Sequence, residues 1–506
     1  MNIEPNTTIN IYANIPVNSE NVRLFSGKSE QNTYFASAQK VASFAPLTYQ
    51  RVNIGVIRVP ASADSLYNAN YLAFQNTAFG SKWFYGYIDT VEYVSNDCAE
   101  IRYTLDMFQT YFYDCELMPC FVEREHSETD EVGDNIIAEP VSVGEYVYTD
   151  FADYGIMKPM TIAIVILDYA KKVVEGNLYD GVYSGGTIHL YKSNDIAGIN
   201  AKLTEYQAAG HPDSVLSMYM LPSFLVNNAT GILSYSEKGT TLNLALPKYI
   251  EDFSGYVPKN KKLFTYPFSY YVITNNNGST LALRKEFFYG DSYDIEVGGT
   301  VTQPVKTYCR PKNYKGATLN TCETLTLDNY PICSWGFDGY GTWIAQNAIP
   351  LALSTVAGTA NSVVASTLSA HPAAAAITST VGLASSLLSN YYTASISADL
   401  SRGSLNNGGV NFSNQKQVFS AAIAHVTKDY AECIDNFFSM FGYACQKVKK
   451  PNIDSRPNWN YVKTTNANVV GDIPAPAKQA IENMLNNGVT FWHTNDIGNY
   501  DLENEV

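Results

Sequence analysis

The feature that most constrains this chain is a segment of sixty residues, 339–398, that contains no Asp, Glu, Lys or Arg. The whole chain is 16% charged, so a segment of this length would ordinarily hold about ten charges. It divides at His371-Pro372. As helices, 345–370 and 373–394 would be about 33 to 39 Å long, at about 1.5 Å per residue. Because a bilayer core is about 30 Å thick, the pattern predicts two membrane-length apolar helices joined by a proline turn.

Three interpretations of this hairpin remain open. Its many Ser and Thr residues lower its hydrophobicity, and its small residues would let such helices pack closely against copies of themselves. It is either an Ala-rich hairpin buried in a large protein, or a stored segment that becomes membrane-active when its own oligomer stops sheltering it, or a permanent anchor. No aromatic belt and no Lys/Arg cluster brackets both ends, which argues against an anchor. We favour the stored, conditionally membrane-active segment.

The residues expected to act on the membrane are the larger apolar side chains of the hairpin together with its turn. They are Ile349, Leu351, Leu353, Val356, Val363, Val364, Leu368, His371, Pro372, Ile377, Val381, Leu383, Leu387 and Leu388. His371 is the one side chain in the charge-free segment with a pKa near neutrality, about 6.5 when unperturbed. Because burying a charge is costly, protonation of His371 would favour release of a buried hairpin. The alternative is that His371 only caps the proline turn in solvent.

Composition excludes several classes of protein. The chain has 506 residues, 46% hydrophobic and 13% aromatic, which is not the composition of a disordered chain. Its net charge of −15 is opposite to that of a nucleic-acid binder. The N-terminus, MNIEPNTTINIYANIP, has no basic region before an apolar run, so we expect no secretory signal and eight reduced cysteines made in a cytoplasm.

Most of the chain has β patterning. The segment 100–106 alternates, with Ile101, Tyr103 and Leu105 on one side, and Ser95-Asn96-Asp97 joins it to 85–94 as a hairpin. The apolar run 160–167 predicts a buried strand, and Asn277-Gly278 predicts a second hairpin turn. Helices are expected over 107–112 and 194–209.

The C-terminal part predicts one long amphipathic helix over 413–441, from apolar residues at three- and four-residue spacing. A strand near 459–463, a helix that Pro476 opens and Gly488 closes, and a strand over 489–493 follow. The predicted fold class is mainly β with some α (α+β). The predicted domains are a β-rich tube part (1–154), a β-rich middle part with a short helix (155–335), the hydrophobic insertion (336–410) and a C-terminal helix with strands (411–506).

No catalytic or cofactor motif is present. The P-loop, dinucleotide-binding, nucleophile-elbow and HExxH patterns are all missing, and no calcium loop or Cys/His metal spacing occurs. The segment 121–153 holds ten acids and one base, Arg124, and is interpreted as an acidic solvated loop or an inter-subunit surface. His126 within it is expected to be solvated or structural. The pair Asp130-Glu131 resembles hydrolase carboxylates only in composition.

Several strings together resemble the tail-knob (distal tail tube) proteins of small short-tailed bacteriophages. The strings are FVEREH at 121–126, followed by Asp130 and Gly133, YIDTVEYV at 87–94, IRYTLDMFQTYFYD at 101–114, RPNWNYVKT at 456–464 and GVTFWH at 488–493. The resemblance lies in their co-occurrence and order at both ends of the chain. Residues 155–330 contribute nothing to it. The charge-free insertion stands where that family places a long hydrophobic loop.

The resemblance implies a mostly β virion protein that forms a homo-oligomer, a hexamer, at the tail tip, attached to the portal- or collar-side tail protein. DNA would leave through its lumen without specific binding, and the hydrophobic loops would plug the lumen and then penetrate the host membrane. We expect no enzymatic activity, no cofactor and no metal, a virion location after assembly in the host cytoplasm, and a neutral or acidic lumen. The alternatives are a stand-alone pore-forming protein and a tail-associated cell-wall or polysaccharide hydrolase.

Overall fold

Strands dominate the molecule because the β-branched and aromatic residues that fill it pack well on pleated surfaces. The computed structural model describes residues 6–17, 21–47, 55–80, 82–155, 159–167, 178–179, 182–183, 186–209, 214–233, 240–315, 324–328, 330, 332–334 and 418–503. The predicted class, mainly β with some α, is confirmed.

The described strands and helices are numbered in chain order. The strands are β1 (Thr7–Ala13), β2 (Asn21–Arg23), β3 (Lys40–Leu47), β4 (Val56–Val59), β5 (Ala69–Gln75), β6 (Trp83–Ser95), β7 (Cys98–Leu105), β8 (Cys115–Leu117), β9 (Cys120–Glu125), β10 (Tyr146–Tyr154), β11 (Met160–Leu167), β12 (Leu178–Tyr179), β13 (Val182–Tyr183), β14 (Gly186–Lys192), β15 (Val215–Pro222), β16 (Gly231–Ile232), β17 (Leu242–Ala245), β18 (Ser269–Thr274), β19 (Thr280–Leu283), β20 (Asp294–Gly299), β21 (Thr307–Lys312), β22 (Leu325–Leu327), β23 (Ile332–Ser334), β24 (Phe419–Val426), β25 (Tyr443–Lys449), β26 (Trp459–Thr465), β27 (Val469–Gly471) and β28 (Val489–Trp492). The helices are α1 (Lys28–Ser37), α2 (Met107–Tyr111), α3 (Ile196–Ala208), α4 (Lys428–Phe441) and α5 (Ala475–Asn487).

The chain folds into two compact units, and each unit is built from segments that are separate in the sequence. The first unit comprises Met1–Gly144, Asp252–Leu263 and Lys428–Val506. The second unit comprises Glu145–Glu251 and Phe264–Thr427.

The first unit contains a six-stranded sheet in the order β3-β1-β5-β6-β7-β4. One face buries an aliphatic core that includes Ile11, Leu72 and Ile101. On the other face, Phe35 of α1 packs against aromatic side chains that include Tyr71, whose ring stacks on Phe35 at 5.7 Å. The predicted hairpin is confirmed, since β6 and β7 pair up to the Ser95–Cys98 closure.

A five-stranded sheet in the order β2-β28-β26-β9-β25 completes most of the first unit. Helix α5 packs on it through Ile481 and Leu485, which contact a core with Val462 and Phe491. The predicted limits of this helix hold, because Gly488 ends it with a φ of 96°. Strands β8 and β27 form a separate two-stranded pair.

Among its described residues, the second unit contains three larger sheets. The sheet β16-β14-β11-β15-β23 carries the predicted buried strand β11, and Ile199 and Leu203 of α3 belong to its core. The sheets β10-β24-β18-β19 and β17-β20-β21-β22 contribute to one further core, with Ile423 from the former and Ile295 from the latter. The predicted hairpin at Asn277-Gly278 is confirmed as β18–β19.

The long helix predicted over 413–441 is wrong in its first half. Residues 419–426 form β24, between β10 and β18, and α4 begins only at Lys428. Seven of the eight residues of β24 are buried. Periodicity alone does not distinguish a mostly apolar, buried run of this kind from a buried helix. Residues 413–417 lie outside the described part.

Candidate functional site

Three of the strings that carry the family resemblance become neighbouring strands. FVEREH supplies β9, RPNWNYVKT supplies β26 and GVTFWH supplies β28, and β26 lies between the other two. In the register, Lys463 pairs with Arg124 and Val462 pairs with Glu125. The strings at 87–94 and 101–114 form the β6–β7 hairpin and α2. The resemblance therefore rests on the framework of the first unit.

His126 is fixed in this framework by both ring nitrogens. Nε2 donates to the carbonyl oxygens of Phe438 and Ser439, at 3.2 and 3.0 Å, and Nδ1 accepts from the backbone N–H of Tyr461 at 2.9 Å. The residue is 1% exposed. Burial, and after it the nearby positive charge of Arg456, lowers the pKa of His126 to about 3. The imidazole is thus held neutral, and of the two expected roles the structural one applies.

The neutral His126 makes stability depend on pH. In the unfolded chain His126 is protonated below about pH 6.5, whereas in the folded chain it is protonated only near pH 3. The free energy of unfolding therefore falls as the pH drops through this range. The loss is up to about 1.4 kcal/mol per pH unit. We expect His126→Gln to be less stable at pH 7, because hydrogen bonds are lost, but to show a shallower fall between pH 6.5 and 4. Urea unfolding midpoints at several pH values in this range measure how stability depends on pH. If the midpoints of the two proteins fall in parallel as the pH drops, the prediction is wrong.

Glu139 joins three separate segments of the first unit. Its side chain is fully buried and forms ion pairs with Arg124 of β9 and with Lys262, each at 2.5 Å. Its carboxylate also accepts from the backbone N–H of Ala444 in β25, at 2.8 Å. Burial lowers the pKa of Lys262, and the Glu139 carboxylate opposes that shift. Lys262 also donates to the carbonyl oxygen of Ile137.

The interpretation of 121–153 as an acidic solvated loop is wrong for some of its acids. Glu128 and Glu131 are exposed, as that interpretation expects. The side chain of Glu139 is buried, Glu125 is 6% exposed and pairs with Lys449, and Asp130 accepts from the Tyr443 hydroxyl. These acids lie inside the first unit because cations and donors from distant segments compensate them, which a single sequence does not display.

Asp435 was not singled out in the sequence, yet it is the most completely hydrogen-bonded acid of α4. It is 0% exposed. One oxygen accepts from the Tyr256 hydroxyl and the Lys259 N–H, at 2.7 and 2.8 Å, and the other accepts from the Asn260 N–H and side-chain amide, at 3.0 and 2.8 Å. Asp435 thereby holds the segment 252–263 against α4. The sequence signal that could have pointed to Asp435 is its position as a single acid on the apolar face of α4.

The exposed end of the six-stranded sheet carries paired charges. Arg58 Nε donates to Glu100 at 2.8 Å, and Arg102 pairs with Glu92 at 2.9 Å. Asp89 accepts from the Thr104 hydroxyl. Each of these two arginines is thus matched by a glutamate on a neighbouring strand.

The described residues contain neither a metal-ligand cluster nor a membrane-length helix. No three His, Cys, Asp or Glu side chains lie together as ligands in this part of the chain, and no described helix is long and apolar enough to cross a membrane. Six cysteines there, Cys98, Cys115, Cys120, Cys309, Cys433 and Cys445, are free thiols. All the predicted membrane-active residues, from Ile349 to Leu388, and His371 with them, lie outside the described residues.

Comparison with known proteins identifies the family. Residues 231–505 match the family model described as the C-terminal domain of the tail knob protein gp9 of Bacillus phage phi29, which is more than half of the chain. The chain belongs to the tail knob protein family. Its residues 5–116 also match the model of the caudoviral major tail protein N-terminus, which spans the six-stranded sheet with α1 and α2.

The relatives extend the match to the whole chain. The tail knob protein gp9 of Bacillus phage B103 is 23% identical, over 99% of this chain and 98% of the relative. The tail knob protein gp9 of Bacillus phage phi29 is 24% identical, also over 99% of this chain and 98% of the relative. The structure of the bacteriophage C1 tail knob protein, gp12, aligns with a TM-score of 0.63 at 15% identity, over 97% of this chain and 98% of that one, which shows a common fold. Tail knob proteins of two Bacillus phages and of bacteriophage C1 thus match this chain along almost its full length.

Proposed function

We propose that this tail knob protein forms a closed ring of six copies at the distal tip of a short tail, joined on one side to a portal- or collar-side tail protein. The observation that carries the proposal is the match of residues 5–116, the six-stranded sheet, to a major tail protein, within a chain that matches tail knob proteins over 99% of its length. The proposed role is structural, without a catalytic step, and assembly takes place in the host cytoplasm.

DNA passes through the lumen of the proposed ring without being held. Phosphate affinity comes from Lys and Arg, and it would slow ejection. The net charge of −15 supports a lumen that is neutral or acidic. Tight duplex binding by the purified protein at physiological salt would contradict this part of the proposal.

The insertion 336–410 is proposed to plug the lumen and then to penetrate the host membrane. Its support is the sixty-residue stretch without a formal charge, with apolar side chains such as Leu351, Val364 and Leu387. An exposed apolar patch of this size is unfavourable on a soluble monomer, so a closed oligomer would shelter it. His371, at the proposed turn, is the candidate trigger.

A ring with a central channel is the expected appearance of the purified protein in electron micrographs, with a solution mass near six times 55.8 kDa. The physical reason is that a heterologous interface closes on itself when its rotation allows, and covers the apolar insertion. Light scattering over a wide concentration range measures the mass. A monomer at every concentration would contradict the proposed assembly.

A further inference from the structure

A pocket lies in the first unit between α1 and the six-stranded sheet. Its volume is about 310 Å³, within the range of pockets that bind small ligands or inserted side chains. Tyr12 and Tyr85 form its buried floor, and Phe35 of α1 lines the helix side. Trp83, half-buried, and Lys40, exposed, complete the lining. An occupant would contact aromatic rings and meet one positive charge.

Lys40 has no carboxylate partner among the described residues. It is exposed at the start of β3, directly after α1. The cations elsewhere on this sheet are matched, as Arg58 is by Glu100. The pocket therefore offers an unpaired ammonium group beside an aromatic surface, which favours an occupant that carries an aromatic ring and a carboxylate.

The tip of the β6–β7 hairpin presents that combination on the same unit. Tyr93 is 66% exposed and Val94 is 44% exposed. The Tyr93 hydroxyl donates to the side-chain oxygen of Asn96 at 2.8 Å, so the ring is held at the tip. Asp97, in the turn, is exposed and has no ion-pair partner in the described part of the chain.

One copy cannot fill its own pocket with its own hairpin tip. Tyr85 in the pocket and Tyr93 at the tip belong to the same strand, β6, eight residues apart. At about 3.3 Å per residue they are about 26 Å apart along the strand, far beyond the reach of a side chain. A contact between tip and pocket must therefore join two copies head to tail, and such an interface generates a closed ring when its rotation closes.

We propose that Tyr93 of one copy inserts into the pocket of the next copy, with Asp97 of the tip paired to Lys40 at the rim. The inserted ring contacts Trp83 and Tyr85, where aromatic pairs add to the burial of apolar surface. The unpaired charges of opposite sign set the register of the two copies. The inference rests on the proposed oligomeric ring, and it specifies which surfaces of this chain form it.

The test compares assembly of variants by light scattering at a series of protein concentrations. Tyr93→Ser and Asp97→Lys are each expected to raise the concentration of half-assembly about tenfold or more, as for the central residues of an interface. The double variant Lys40→Asp with Asp97→Lys restores the opposite charges and is expected to recover most of the loss. Tyr67→Ser is the matched control, since Tyr67 is 86% exposed on the same unit but outside the tip.

Each outcome decides one point. If the wild type assembles and the tip variants behave like Tyr67→Ser, the proposed contact between Tyr93 and the pocket is wrong, and the proposed ring is not contradicted. If the tip variants weaken assembly but the charge swap restores nothing, the tip binds a surface other than this pocket and the pairing is wrong. If the wild type is a monomer at every concentration, the proposed ring is wrong, and so is the proposed contact between Tyr93 and the pocket. Thermal unfolding of each variant shows whether the first unit stays folded.

Discussion

Replacing Glu139 with alanine is expected to destabilise the first unit by about 3–5 kcal/mol, because removing one partner of a buried ion pair leaves the other charge buried and uncompensated. Here two charges lose their partner, since Arg124 and Lys262 both pair with Glu139 and their side chains are 15% and 2% exposed. The N–H of Ala444 also loses its acceptor. Urea unfolding at neutral pH, followed by tryptophan fluorescence, measures the change.

Glu131→Ala is the matched control for this experiment. Glu131 is an acid of the same segment, with a side chain 73% exposed and a looser ion pair of 3.7 Å to Lys261. Exposed pairs of this kind contribute about 0–1 kcal/mol, so the control should unfold nearly as the wild type does. Equal effects of the two substitutions would mean that the buried network does not stabilise the first unit.

Deleting residues 349–392 and joining the ends by a short linker is expected to abolish leakage of liposomes while leaving assembly intact. The sheets of both units and α4 lie outside the deleted residues, so the body should fold without them. Dye release from liposomes between pH 5 and 8 measures the activity, and light scattering measures the assembly. An equally long Gly/Ser segment in place of 349–392 controls for chain length.

Two results would overturn the role proposed for the insertion. If the deleted protein fails to fold or to assemble, the hairpin is part of the core, as in the first of the three interpretations. If the deleted protein assembles and still releases dye, the membrane activity lies elsewhere in the chain. His371→Gln tested in parallel separates the trigger from the activity, because an unchanged pH profile would exclude His371 as the sensor.

The features that could be predicted from the sequence are those set by neighbouring residues. Alternation in 100–106 predicts β7, with Ile101 buried, and the Asn-Asp turn before it predicts the hairpin. Pro476 and Gly488 mark the limits of α5 through φ restriction and a positive φ. Each of these signals acts over a few residues, so no tertiary context is needed to interpret it.

The features that could not be predicted depend on partners far away in the chain. The acidic segment gives no sign that Glu139 meets Lys262, 123 residues later. Strand β24 carries an apolar run that suits a buried helix equally well, and only its place between β10 and β18 makes it a strand. The same holds for Asp435, whose four donors come from Tyr256, Lys259 and Asn260.

The discontinuity of the first unit has a consequence for the order of events on the ribosome. Strand β9 needs β25 and β26 as its two neighbours, and Arg124 is separated from Gly442, whose carbonyl it binds, by 318 residues. At a synthesis rate of about 5–20 residues per second, β25 and β26 are synthesised about 15 to 60 s after β9. During that interval the charge-free segment has already been translated. The charge-free segment is therefore synthesised before the framework of the first unit can close, and a chaperone that binds apolar chain would act in this interval.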